Sequence, residues 1–87
     1  MKIFYLNIRR GFLRKFDLLT DLARNGHEIM IFGETDLMAS DLPPPVGGYT
    51  AFRSKGIKSK VVMYVKSSLH PVQVSLEGDL PAVAVQL

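Results

Sequence analysis

Two short apolar runs flanking one amphipathic stretch constrain this chain more than any other feature. The first, Lys2-Ile3-Phe4-Tyr5-Leu6-Asn7-Ile8, is rich in β-branched and aromatic residues without polar alternation, the pattern of a strand covered on both faces. From Gly11 to Arg24 the apolar residues Phe12, Phe16, Leu19, Leu22 and Ala23 recur at spacings of three and four, and Arg14, Lys15, Asp17, Asp21 and Arg24 fall mostly between them. That spacing predicts an amphipathic helix, and Asn25-Gly26 can take the left-handed conformation that closes a helix C-terminus. The second run, Glu28-Ile29-Met30-Ile31-Phe32-Gly33, again reads as a buried parallel strand. Strand, helix and strand within about thirty residues make a βαβ unit with a right-handed crossover, so both strands end on the same edge of one sheet.

The remainder reads differently. Residues 35–48 hold Asp36, Asp41, Pro43-Pro44-Pro45 and Gly47-Gly48, which predict a stiff surface loop. Tyr49-Thr50-Ala51-Phe52 reads as a short strand, residues 53–60 as a hairpin loop around Gly56, and Lys60 to Lys66 as a strong strand. After a turn at Ser67-Ser68, Val72 to Leu76 alternates as a strand with one wet face does, and Glu77-Gly78-Asp79 turns the chain again. Leu80 to Leu87 begins a further apolar strand in which the sequence stops. The expectation is an α/β fold, a βαβ unit followed by antiparallel strands, forming a single partial domain over residues 1–87 that is completed by a missing C-terminal segment or by self-association. A chain this short buries only about 60% of its unfolded surface, which adds to that expectation.

Composition narrows the chemistry. The 87 residues include no cysteine, so disulfides, cysteine-ligated metals and thiol nucleophiles are excluded. The longest apolar stretch is the five residues Val61 to Val65, too short for a membrane span or a secretory core; the expected setting is intracellular, cytoplasmic or nuclear, without a membrane partner. The formal charge is +3, and Arg53, Lys55, Lys58 and Lys60 account for it: outside that hairpin seven basic side chains remain against eight acidic ones. Lysines in a hairpin can meet a phosphodiester backbone or simply protect a sheet edge.

In open α/β sheets ligands gather beyond the carboxyl ends of parallel strands. Asn7 ends the first strand and Glu34 follows the second apolar run, so an amide and a carboxylate are expected on one edge. Such an oxygen pair suits Mg²⁺, which takes one or two protein carboxylates and fills its other sites with water and phosphate. By position alone, Glu34 can equally be a plain loop carboxylate and Asn7 a loop-capping amide. Arg9 and Arg10 follow Asn7 directly and are placed to meet a phosphate. His27 and His70 read as surface residues, and Tyr5, Phe52 and Tyr64 as core or sheet-face aromatics.

The ordered pieces Leu6-Asn7-Ile8-Arg9, Ile29 to Leu37, Gly48-Tyr49 and Val61 to Lys66 resemble the endonuclease/exonuclease/phosphatase superfamily, nearest in character to the endonuclease domains of non-LTR (LINE-type) retrotransposons and reverse-transcriptase-linked proteins. The resemblance implies a four-layer α/β sandwich that cleaves phosphoesters with Mg²⁺ or Mn²⁺. It makes Glu34 the metal-binding carboxylate and Asn7 the residue that positions metal and phosphate. The Asp/Asn pair and late His/Asp pair of the family have no counterpart in these 87 residues. The implied function is therefore the N-terminal portion of a nuclease acting on nucleic acid, DNA ahead of RNA, inactive without its remaining part. Two alternatives stand beside it: a non-catalytic nucleic-acid-binding module that uses the basic hairpin with Arg53, Lys55, Lys58 and Lys60, and a small interaction protein without a ligand.

Overall fold

A computed structural model describes residues 1–9, 11–76 and 82–87. Among these described residues, six strands, β1 (Ile3–Asn7), β2 (Ile29–Met38), β3 (Tyr49–Arg53), β4 (Lys58–Lys66), β5 (Val72–Val74) and β6 (Ala84–Gln86), accompany one helix, α1 (Phe16–Arg24), and two 3-10 turns at Phe12–Arg14 and Ser67–Leu69. The first four strands form one sheet in the order β1-β2-β4-β3, and β5 pairs with β6 apart from it. Strands β1 and β2 are parallel from Ile3↔Ile29 to Asn7↔Gly33, as the βαβ reading requires. Strand β4 runs antiparallel to both β2 and β3. The α/β class is thus correct. No helix among the described residues is long and apolar enough to cross a membrane.

The core lies on the helix side of the sheet. Alternation sends Met30 and Phe32 of β2 and Val62 and Tyr64 of β4 to that side, where Leu19 and Leu22 of α1 meet them with Ile8, Phe12 and Leu37. Phe12, Phe32 and Tyr64 form an aromatic triangle with centroids 5.5 to 6.4 Å apart, each pair contributing about 0.5–1.5 kcal/mol beyond its buried area. The helix ends as expected: Gly26 has φ +76°, and the amides of Gly26 and His27 bond the carbonyls of Ala23 and Leu22, satisfying two of the carbonyls left open at a helix end.

Five expectations are corrected. The helix does not run from Gly11: a 3-10 turn at Phe12–Arg14 comes first and α1 starts at Phe16. Phe12 dives between Phe32 and Tyr64 while Phe16 is half exposed, and a straight helix would put these two residues, four apart, on one face. Strand β2 does not stop at Gly33 but passes through an irregularity and resumes pairing at Leu37↔Ser59 and Met38↔Lys58, because Thr35 and Leu37 find burial there. The stiff loop therefore starts at residue 39. The hairpin loop shrinks to residues 54–57, with Arg53 in β3 and Lys58 and Lys60 in β4. His27 is half-buried: its Nδ1 lies 3.0 Å from the Leu22 carbonyl and its ring meets Phe4 edge-on. The strand expected at Val72 to Leu76 is confined to Val72–Val74. The expected turn at Glu77-Gly78-Asp79 and the start of the last strand lie outside the described residues.

The triple-proline crossing is tied down from beneath. Tyr64 donates its hydroxyl to the Pro44 carbonyl at 2.6 Å, and Tyr49 donates to the His27 carbonyl. Burial pushes the Tyr64 hydroxyl well above the ordinary phenol range, and Tyr49 is raised by burial first and by the Glu28 carboxylate second. Neither ring lies in the cavity described next.

Candidate functional site

Beyond the end of β1 a cavity of about 540 Å³ is walled by Tyr5, Asn7, Gly33, Glu34, Asp36, Lys60 and Val61. Asn7 reaches it by strand alternation, since Tyr5 and Asn7 share the sheet face turned away from the helix. Gly33 lies directly opposite Asn7, and a Cβ there would come within 2.8 Å of the Tyr5 hydroxyl, so the exposed Tyr5 side chain would have to swing aside to admit one. The Tyr5 side chain occupies the space that a side chain at position 33 would need.

Glu34 stands within β2 rather than beyond its end. The chain bulges between Gly33 and Leu37, and Glu34 and Asp36 take φ of +52° and +49°, a left-handed conformation costing about 1–2 kcal/mol for each non-glycine residue. Such strain persists only where the surroundings over-determine it. Between the two, Thr35 is buried and donates its hydroxyl to the Ser59 carbonyl at 2.7 Å. Glu34 is thereby left exposed, and Asp36 meets Lys60, whose ammonium lies 2.5 Å from its carboxylate. The bulge thus presents two acidic side chains on either side of a buried anchor.

A polar network braces this bulge from β3 and β4. The Ser59 hydroxyl donates to the Ser54 carbonyl and accepts from Arg53 Nε, while the Ser54 hydroxyl accepts the amides of Lys60 and Val61. Arg53, expected at a nucleic-acid backbone, spends its other donors on the carbonyls of Asp41, Leu37 and Met38 at 2.6 to 3.0 Å. It clamps the end of β2 to the proline loop. No buried side-chain donor or acceptor among the described residues lacks a partner.

The remaining basic residues differ in placement. Lys60 lines the cavity, and Lys58 is exposed two positions away on the same face of β4. Lys55 is exposed and donates to the Leu76 carbonyl at 3.3 Å. Arg9 is exposed in a left-handed conformation with φ +59° and is not part of the cavity wall; Arg10 lies outside the described residues. His70 is exposed and does not line the cavity.

Two carboxylates, one amide oxygen and one ammonium therefore share a solvent-open space. Oxygen donors of this kind fit a hard cation that keeps most of its water, although no group of three or more acidic or histidine side chains among the described residues could hold a metal. The sequence pointed to Asn7 and Glu34. It pointed away from Tyr5, which the two-residue repeat from Asn7 could have placed on the same face. The Lys60–Asp36 pairing follows only from the β2–β4 register. No protein-family model, no curated protein and no solved structure matches the chain.

Proposed function

We propose that the chain is the N-terminal portion of a Mg²⁺-dependent phosphodiesterase of four-layer α/β sandwich type, acting on nucleic acid, with DNA ahead of RNA, and catalytically silent or nearly so without its remaining part. One observation carries this reading: the Asn7 amide, the Glu34 carboxylate and the Lys60 ammonium border a single cavity. Glu34 and the Asn7 side-chain oxygen would hold Mg²⁺ or Mn²⁺, with Asp36 beside them. A bound metal supplies Lewis-acid polarisation of a phosphoryl oxygen. The chain's own residues have other tasks. Lys60 offers a positive charge to a phosphate, Lys58 and Arg9 extend that attraction along the surface, and the Thr35–Ser59 bond keeps Glu34 facing the cavity.

The test is a titration of Mn²⁺ into the wild-type chain and into Glu34→Gln, followed by paramagnetic broadening of amide resonances. Broadening centred on Asn7 and Glu34, lost in the variant, is the expected result; equal titrations would refute the metal site. A second reading, the non-catalytic nucleic-acid-binding module, rests on the exposed side chains of Lys55 and Lys58 beside Lys60. It predicts salt-sensitive retention of DNA that neither chelator nor Glu34→Gln alters.

A further inference from the structure

Helix α1 carries a second stripe that the core does not use. Phe16, Thr20, Ala23 and Arg24 fall at i, i+4, i+7 and i+8 and form one wall of a groove of about 510 Å³; residues 45–49 form the other, and Lys66 closes one side. Phe16, expected in the core, is half exposed on this wall. Pro45, Val46 and Tyr49 face it across the groove, and Gly47 and Gly48 are exposed without a side chain to block a ligand's backbone. The groove lacks the Asn7–Glu34 cavity's residues entirely.

Its charges set the class of ligand. Arg24 and Lys66 both border it, no acidic residue does, and among the described residues neither side chain makes a hydrogen bond or ion pair. The groove is apolar within, positive at its margin and open to solvent along one side. An enclosed pocket would bury most of a small ligand, whereas an open one suits a chain that inserts one or two side chains and continues over the surface.

We infer that this groove docks an acidic peptide segment of a partner protein, with a bulky apolar side chain between Phe16 and Val46 and flanking carboxylates on Arg24 and Lys66. The inference goes beyond the proposed nuclease reading and does not depend on it. Apolar anchoring sets affinity, and the two cations set orientation and association rate.

The test uses the 87-residue chain and a fluorescein-labelled peptide with Leu and Phe three residues apart between Asp and Glu flanks. Anisotropy should report a Kd on the order of 10–100 μM. Arg24→Glu combined with Lys66→Glu, and separately Phe16→Ala, should each weaken it about tenfold or more, with unchanged circular dichroism showing that the variants fold. Wild-type amide resonances should shift at Phe16, Ala23, Val46, Tyr49 and Lys66, a readout independent of any variant. The inference is overturned by no binding up to about 1 mM peptide, or by equal binding of a control peptide with Ser in place of Leu and Phe. It is overturned equally by shifts centred on Asn7 and Lys60. Concentration-dependent shifts without peptide would assign the groove to a second copy, and displacement by a single-stranded oligonucleotide would assign it to nucleic acid; both outcomes reject a peptide partner.

Discussion

Thr35 donates its hydroxyl to the carbonyl of Ser59 across 2.7 Å, and this bond between β2 and β4 holds the two left-handed residues Glu34 and Asp36 on either side of it. A bulge is often a device for re-aiming a side chain. Here it turns a strand interior, which would alternate inward and outward, into a display of two carboxylates toward Asn7 and Lys60.

Replacing Thr35 by Val keeps the volume and removes the donor, leaving the Ser59 carbonyl buried without its partner. Urea unfolding should show a loss of about 1–3 kcal/mol, and Thr35→Ser should restore most of it. A Val variant as stable as wild type would mean that the bulge does not rely on this bond.

Arg53 serves the scaffold through four contacts to Ser59, Leu37, Met38 and Asp41. Lysine cannot reproduce that planar fork, so Arg53→Lys should destabilise the chain by about 1–3 kcal/mol, with DNA retention per folded molecule unchanged. Equal stability with weaker DNA retention would return Arg53 to the nucleic-acid surface.

The Lys60–Asp36 pair is 50% and 39% exposed at its two side chains, and exposed pairs contribute only about 0–1 kcal/mol. Lys60→Met should therefore leave the unfolding midpoint almost unmoved. Its effect should appear in ligand binding, lowering the salt dependence of DNA retention by about one counterion. A large stability loss would make Lys60 structural.

Tyr64 sets an alkaline limit. Its hydroxyl is raised by burial above the usual value of 10.0, so the unfolded chain loses this proton first as pH rises. Stability is complete below pH 10 and falls above it, with a slope approaching about 1.4 kcal/mol per pH unit from this group. Tyr64→Phe should lower stability near neutrality by about 1 kcal/mol, through loss of the bond to Pro44, and should flatten the alkaline fall. Tyr49, raised by burial and by Glu28, acts in the same direction, so a residual slope is expected.

The β1–α1–β2 succession was legible because it rests on local periodicity: apolar runs such as Ile29 to Phe32, a three-and-four spacing through Leu19 and Leu22, and Gly26 where a left-handed residue is needed. Parallel pairing of β1 with β2 set Asn7 opposite Gly33 and so beside Glu34, although β2 does not end there with β1 but runs on to Met38. Local periodicity failed at Phe16 and at residues 34–38. Helical spacing cannot tell which of two stripes the core will take, and a strand that bulges breaks its own alternation.

What the sequence by itself determined is the kind and order of the elements, together with the limits set by having no cysteine and no long apolar stretch. These follow from backbone geometry acting over a few residues. Only the tertiary structure decided that Arg53 is a clamp, that Tyr5 and Lys60 join Asn7 and Glu34, and that Phe16 lines an open groove. Each of those outcomes depends on strand register and on which surface a helix turns inward. Both are set by the sum of contacts between residues far apart in the chain.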